Sequence, residues 1–190
     1  MLHARDSFVL HRERRLSDNS RAPFRLADLP MPRSILVRRS PIHGNGVFAA
    51  KDLPAEKYLI RYRGRLLTHA EADERYSENA ETGHTFLFIL NDDYVIDGSE
   101  HGNAARWINH SCVPNCQPVL VEDGGDPKLD RVMIETLRPI TLGEELTYDY
   151  GITLEHRHTQ RLKKLWQCRC GEPNCSGTLL KPKSRKRSAA

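Results

Sequence analysis

RWINHSCVPNC, residues 106–116, places two Asn, a His, a Ser and two Cys in one short run that opens Arg-Trp-Ile. Those residue types admit a metal site or a nucleophile site, and the rest of the chain decides between them. The chain has five Cys: Cys112 and Cys116 here, and Cys168, Cys170 and Cys175 in CRCGEPNC near the C-terminus. An odd count without an export signal speaks against a disulfide framework. The Cys-x-Cys-x4-Cys cluster offers three thiolates from a Gly/Pro loop, and tetrahedral zinc needs one more ligand, from Cys112 or Cys116. Against this stands the reading of three incidental surface thiols. Four thiolates close the shell, so such a zinc is structural and staples the C-terminal tail to the core.

At 190 residues the chain fits one domain with short appendages. It contains no apolar run of about 18 residues, and MLHARDSFVLHRERR lacks the apolar segment of a secretory signal, so neither membrane insertion nor export by that route is expected. The net charge of +4 is unevenly distributed. Residues 1–39 carry nine Arg against four acidic groups and residues 181–190 carry five basic groups, which leaves 40–180 at −6. An acidic body suits a cationic partner, whereas the basic ends are suited to weak contact with nucleic acid or are merely solvated. The final KPKSRKRSAA resembles a nuclear-localisation patch. The expected setting is intracellular: the cytoplasm or nucleoid in a bacterium, the nucleus in a eukaryote.

Residues 1–33 are rich in Arg and Pro and read as a loose arm. From Ser34 short β-type runs follow: 34–38, 47–50, 57–62, 85–90, 94–97, 118–122 and 131–137, separated by turns such as HGNG, NDD and EDGGDP. One helix is expected in THAEADERYSEN, where Thr68 and Glu71 form a capping box. The fold class is mostly β with few short helices.

Four motifs stand in order along this body: HGNGVFA with Gly44 and Gly46, RYRGRLL with Tyr62 and Gly64, GNAARWINHSCVPNC, and GEELTYDYG at 143–151, followed by CRCGEPNCSGTL. Their combination resembles the SET-domain protein lysine methyltransferases with a post-SET zinc segment. The resemblance runs from about Ser34 to Leu180. It implies a SET domain over 34–151, a post-SET segment over 152–180 and a basic tail over 181–190. It also implies small curved sheets around a knot-like core, with S-adenosylmethionine on one face and the substrate lysine entering an aromatic tunnel from the other.

The resemblance also assigns roles. Tyr150 is the catalytic tyrosine, Tyr62 a tunnel wall with its phenol near the lysine amine, and Tyr148 the Phe/Tyr switch for product multiplicity; Tyr there implies mainly mono-methylation, with some di-methylation. Phe86 and Phe88 are substrate-tunnel candidates, and on an alternating strand they share one face with an equal claim to the core. Gly44, Asn45, Gly46, Arg106, Asn109, His110 and Leu179 are the cofactor-binding candidates, together with Tyr150. The metal set is Cys112, Cys168, Cys170 and Cys175, with Cys116 left without a task. Arg61 and Arg65 depart from the acidic residues common around the Tyr-x-Gly, and Trp107 stands in place of Phe. No nucleophile is expected in residues 106–116, because the attacking atom belongs to the substrate.

These observations favour an enzyme that methylates a lysine of a basic protein, histone-like or DNA-packaging. Two other classes stay open: a catalytically silent SET-fold binding module for a basic protein or nucleic acid, and a small zinc-stabilised nucleic-acid binder with no cofactor. Binding of S-adenosylmethionine separates the last from the others. The sequence leaves the oligomeric state open.

Overall fold

The computed structural model of the protein describes residues 34–76, 86–154 and 157–182. The Arg-rich arm over 1–33, the last helical residues expected at 77–79 and most of the basic tail lie outside them. The elements in chain order are β1 (Ile35–Arg39), β2 (Asn45–Ala49), β3 (Tyr58–Arg61), β4 (Arg65–Thr68), α1 (His69–Tyr76), β5 (Leu87–Ile89), β6 (Tyr94–Asp97), β7 (Asn109–His110), β8 (Cys116–Val121), β9 (Arg131–Thr136), β10 (Thr147–Tyr148) and α2 (Gln160–Leu165). The architecture is thus mostly β with few short helices, as expected.

The strands form four small sheets: β1-β2, β3-β9-β8, β4-β6-β5 and β10-β7. Three are antiparallel; most of their pairings join neighbours in the chain or close to it, but β3 pairs with the distant β9, Arg61 opposite Met133. The fourth is parallel and sets Thr147 beside Asn109 and Tyr148 beside His110. Strands β4, β7 and β10 and helix α2 escape a periodicity reading for a physical reason. Two to six residues hold too few side chains to establish a period. Helix α1, by contrast, starts where its capping box predicts: Thr68 Oγ1 accepts from Glu71 N (3.2 Å) and Glu71 Oε2 accepts from Thr68 N (2.7 Å). Among the described residues no helix is long and apolar enough to cross a membrane.

A single main core joins the sheets through Val47, Phe88, Ile96, Ile108, Ile134, Leu146 and Ile152, all nearly inaccessible. Gly64 is needed beside it, because a Cβ there would lie 2.2 Å from the Asp97 carbonyl oxygen. The C-terminal part returns onto the core through a parallel bridge between Ile152 and Leu180.

The 109–116 segment and the 144–148 segment are locked together by buried polar groups. Asn115, 3% exposed, donates through Nδ2 to Glu144 Oε1 (2.9 Å) and to the Glu145 carbonyl (2.8 Å). Its Oδ1 accepts from Thr147 N at 2.8 Å. Glu144 also accepts from Arg138 (2.6 Å) and from the Thr141 N–H (3.1 Å). Burial acts to raise the Glu144 pKa, but the bonds from Arg138, Asn115 and Thr141 outweigh it and hold the carboxyl at about 2.

Two outcomes are expected. Asn115→Ala orphans the buried Thr147 N–H and the Glu145 carbonyl and should cost about 2–6 kcal/mol in urea unfolding, at about 1–3 kcal/mol per unsatisfied group. Glu144 has a folded pKa below its ordinary value, so its contribution is complete above the ordinary carboxylate range and is lost as pH falls through about 2. The stability difference between the wild type and Glu144→Gln should therefore shrink between about pH 4.5 and about pH 2. A difference independent of pH over that range would contradict the clamp.

Candidate active site

A cavity of about 340 Å³ opens where the four motifs meet. Its wall includes ten of the residues singled out from the sequence: Gly44, Asn45, Tyr62, Phe86, Arg106, Asn109, His110, Tyr148, Tyr150 and Leu179. Gly46 and Phe88 are not in the wall. Strand β5 begins only at Leu87, so Phe86 precedes the strand and does not follow the alternation assumed for it. Phe86 instead meets Trp107 edge-on, with ring centres 5.2 Å apart. Phe88, 1% exposed, lies behind the wall as a strut between Tyr62 (5.0 Å) and Tyr148 (6.2 Å). Gly46 serves packing: a Cβ there would lie 2.3 Å from Glu145 Oε1.

The three phenols are set by backbone acceptors and by each other. Tyr62 donates to the Phe86 carbonyl (2.8 Å), and Tyr150 donates to the Ile108 carbonyl (2.9 Å). The Tyr148 and Tyr150 rings are 5.0 Å apart. Burial raises the pKa of all three, and neighbouring phenols or carboxylates add to it. They stay protonated at neutral pH and line the cavity. The cavity combines this aromatic side with aliphatic wall from Ile152 and Leu165.

The other side is built from backbone. Gly44 has φ +51°, in the left-handed region, at the end of the turn leading into β2. The Asn109 amide nitrogen ties that turn down, with the His43 carbonyl at 3.1 Å, the Asn45 carbonyl at 3.0 Å and Glu145 Oε1 at 2.8 Å. His110 Nδ1 accepts from the Tyr150 N–H at 3.1 Å. Burial pushes the His110 pKa down to about 4, despite the opposing charge of Asp149, so the ring is neutral at physiological pH. Arg106 donates to the Gly98 carbonyl (3.0 Å) and stacks over Trp107 at 4.6 Å.

The wall also takes in Trp107 and Trp166, which motif reading did not place there. The position of Trp166, two residues before Cys168, is the signal that was present. Helix α2, capped by Thr159 Oγ1 on Leu162 N (3.2 Å), delivers Trp166 to the cavity, where it is 3% exposed. The Leu179 N–H returns to the Trp166 carbonyl at 2.8 Å, closing the loop that carries the cysteines.

Spacing alone left Cys112 and Cys116 open, and the four cysteines that the resemblance implies are the ones that meet. Cys112, Cys168, Cys170 and Cys175 present sulfurs all within 4.8 Å of one another and form a group able to hold a metal ion. Cys112 Sγ is 3.8 Å from Cys168 Sγ and 4.0 Å from Cys175 Sγ. Sulfurs about 2.3 Å from one tetrahedral ion lie roughly 3.8 Å apart, so the spacing fits. Cys116 is fully buried in β8, and burial pushes its thiol up to about 12, as suits an inert core residue.

The chain is 37% identical over 150 residues to a "Histone-lysine N-methyltransferase, H3 lysine-4 specific" of Saccharomyces cerevisiae, covering 77% of this chain and 13% of that protein. It is 39% identical over 141 residues to "Histone-lysine N-methyltransferase trithorax" of Drosophila virilis, covering 73% of this chain and 3% of the relative. It is 36% identical over 160 residues to "Histone-lysine N-methyltransferase set1" of Dictyostelium discoideum, covering 83% and 10%. The chain therefore spans a small part of the length of these relatives. The SET domain profile matches residues 44–151, a stretch that holds all three cavity phenols and both asparagines of the central clamp, and the chain belongs to the SET-domain family.

Proposed function

We propose that the chain is a protein-lysine N-methyltransferase, transferring a methyl group from S-adenosylmethionine to a lysine of a histone-like basic protein, mainly to the mono- or dimethylated state. The observation that carries this reading is the cavity wall. Three protonated phenols, Tyr62 and Tyr148 buried and Tyr150 half-buried, stand with aliphatic side chains on one side, and a glycine turn tied by Asn109 on the other. S-adenosylmethionine supplies an electrophilic methyl group on a sulfonium. The cavity volume is in the range of small-molecule sites. Gly44, Asn45, Asn109, His110 and Leu179, with Arg106, are the residues that would hold the donor, and backbone groups at Gly44 can approach it closely. Tyr150 would face the reacting groups, Tyr62 and Phe86 would wall the lysine, and Tyr148 would hold a water that limits product methylation. The acidic body, net −6 over residues 40–180, suits a cationic substrate. Such a substrate places the chain with packaged DNA, in the nucleus of a eukaryote or the nucleoid of a bacterium.

The amine must be neutral to attack. Free lysine has a pKa of about 10.4, and an apolar, phenolic wall disfavours the ammonium form by desolvation. A base is then not needed, in keeping with phenols whose pKa values burial has raised. The four-sulfur group would hold zinc, which keeps Trp166 and Leu179 at the cavity wall.

Incubation with methyl-labelled S-adenosylmethionine and a panel of basic proteins, followed by mapping of the labelled residue, tests the proposal. Label on lysine, lost in Tyr150→Phe, is expected; zinc-replete protein that fails to bind the donor in calorimetry overturns it. Single-turnover rates should rise between pH 7 and pH 9 as the substrate amine loses its proton. A flat profile would contradict the desolvation argument. Tyr148→Phe should shift the products towards higher methylation by mass spectrometry, and an identical distribution would refute its role. Cys112→Ser should lower bound zinc and make the 157–182 segment protease-sensitive while 34–151 stays resistant. Equal zinc content in the variant would exclude Cys112 as a ligand.

A further inference from the structure

A second cavity, of about 260 Å³, lies behind the first, and Tyr62 contributes to the walls of both. Its rim carries Arg61 and Arg63 at the end of β3, His101, and Lys128 in the turn before β9. Asp130 is the one carboxylate in the wall, and it is already engaged: Oδ2 accepts from Asn91 Nδ2 (2.8 Å) and Oδ1 from Asp123 N (2.8 Å). Its role is to pin the turn that presents Lys128.

The cations of this pocket lack matching anions. Among the described residues Arg61, Arg63 and Lys128 form no ion pair, whereas Arg65, next on the same stretch, is paired with Glu100 at 3.1 Å. Arg61 Nε is buried without a hydrogen-bond partner. Burial, then the like charges of Arg131 and Arg63, lower the Arg61 pKa. A half-buried guanidinium with an unmade bond and like-charged neighbours is destabilised, and an anion at its outer edge relieves both effects. Guanidinium groups match the tetrahedral oxyanion of a phosphate through paired hydrogen bonds.

We infer that this pocket docks a backbone phosphate of duplex DNA, held on the face behind the aromatic cavity. The choice of DNA over an acidic peptide rests on the substrate class proposed above, since a histone-like protein presents its lysines beside DNA. The exposed cations at the rim, Arg63 and Lys128, meet a polymer with one charge about every 1.7 Å of helix axis. DNA seated there would hold the chain near a DNA-bound substrate while leaving the cavity free.

The test is fluorescence anisotropy of a short labelled duplex with the full chain, across a salt series. The double variant Arg63→Glu, Lys128→Glu should weaken binding about tenfold or more and flatten the dependence of log Kobs on log salt by about 2, at roughly 0.9 per lost phosphate contact. The same charge change on α2, Arg161→Glu with Lys163→Glu, should leave most of the binding. Equal loss in both variants, or none in the first, overturns the site. A Glu-rich peptide that displaces the duplex more effectively than unlabelled duplex overturns DNA as the occupant. Methylation of a free basic peptide should be unchanged in Arg63→Glu, Lys128→Glu. A chain that never methylates but binds DNA in this pattern would refute the enzymatic reading and leave the pocket standing.

Discussion

Two buried asparagine amides hold the centre of this molecule. Asn109 binds the turn at His43–Asn45 and the side chain of Glu145, while Asn115 binds Glu144, Glu145 and the Thr147 N–H. Three stretches far apart in the chain are thereby joined in a region too small for an extended sheet. A short parallel pair of two residues per strand is weak alone, and side-chain amides provide the missing bonds. Everything at the cavity depends on this junction, since Tyr148 and Tyr150 lie directly beyond it and Gly44 lies on its other side.

The cysteine group extends the same logic to the C-terminus. Helix α2 has only six residues and buries none of them fully; Leu162 and Leu165 pack against the core only in part, too little to dock it alone. Its position is set by Trp166 in the core, by the Leu179 N–H on the Trp166 carbonyl and by the sulfur cluster that ends at Cys112. Cys112 belongs to the same eleven-residue stretch as Asn109 and Asn115. One short segment therefore anchors the cavity, the crossing and the tail.

The three phenols show how placement governs chemistry. A tyrosine at a surface ionises near pH 10, but Tyr62 and Tyr148 are buried, Tyr150 is half-buried against them, and all three keep their protons. They are suited to shaping an apolar channel and to donating hydrogen bonds, a role in harmony with a reaction whose nucleophile arrives with the substrate. The basic pocket behind Tyr62 has the opposite character, with unmatched cations at a rim open to solvent.

What the sequence determined by itself was chemical identity. The capping box at Thr68 placed α1, the Cys-x-Cys-x4-Cys spacing identified three members of the sulfur cluster, and the order of four motifs identified the fold. These are local signals, carried by residues that stay close in the chain. Only the tertiary structure decided the rest. It supplied the reason why Cys112 and not Cys116 joins the cluster, a choice the resemblance had implied: β8 turns Cys116 into the core. It separated Phe86 on the wall from Phe88 behind it, because the strand starts at Leu87, past Phe86, and not at 85 as the alternation assumes. It brought Arg61 and Arg63 to Lys128 across more than sixty residues of chain. Such meetings depend on which segments cross, and no pattern within any one segment encodes the crossing.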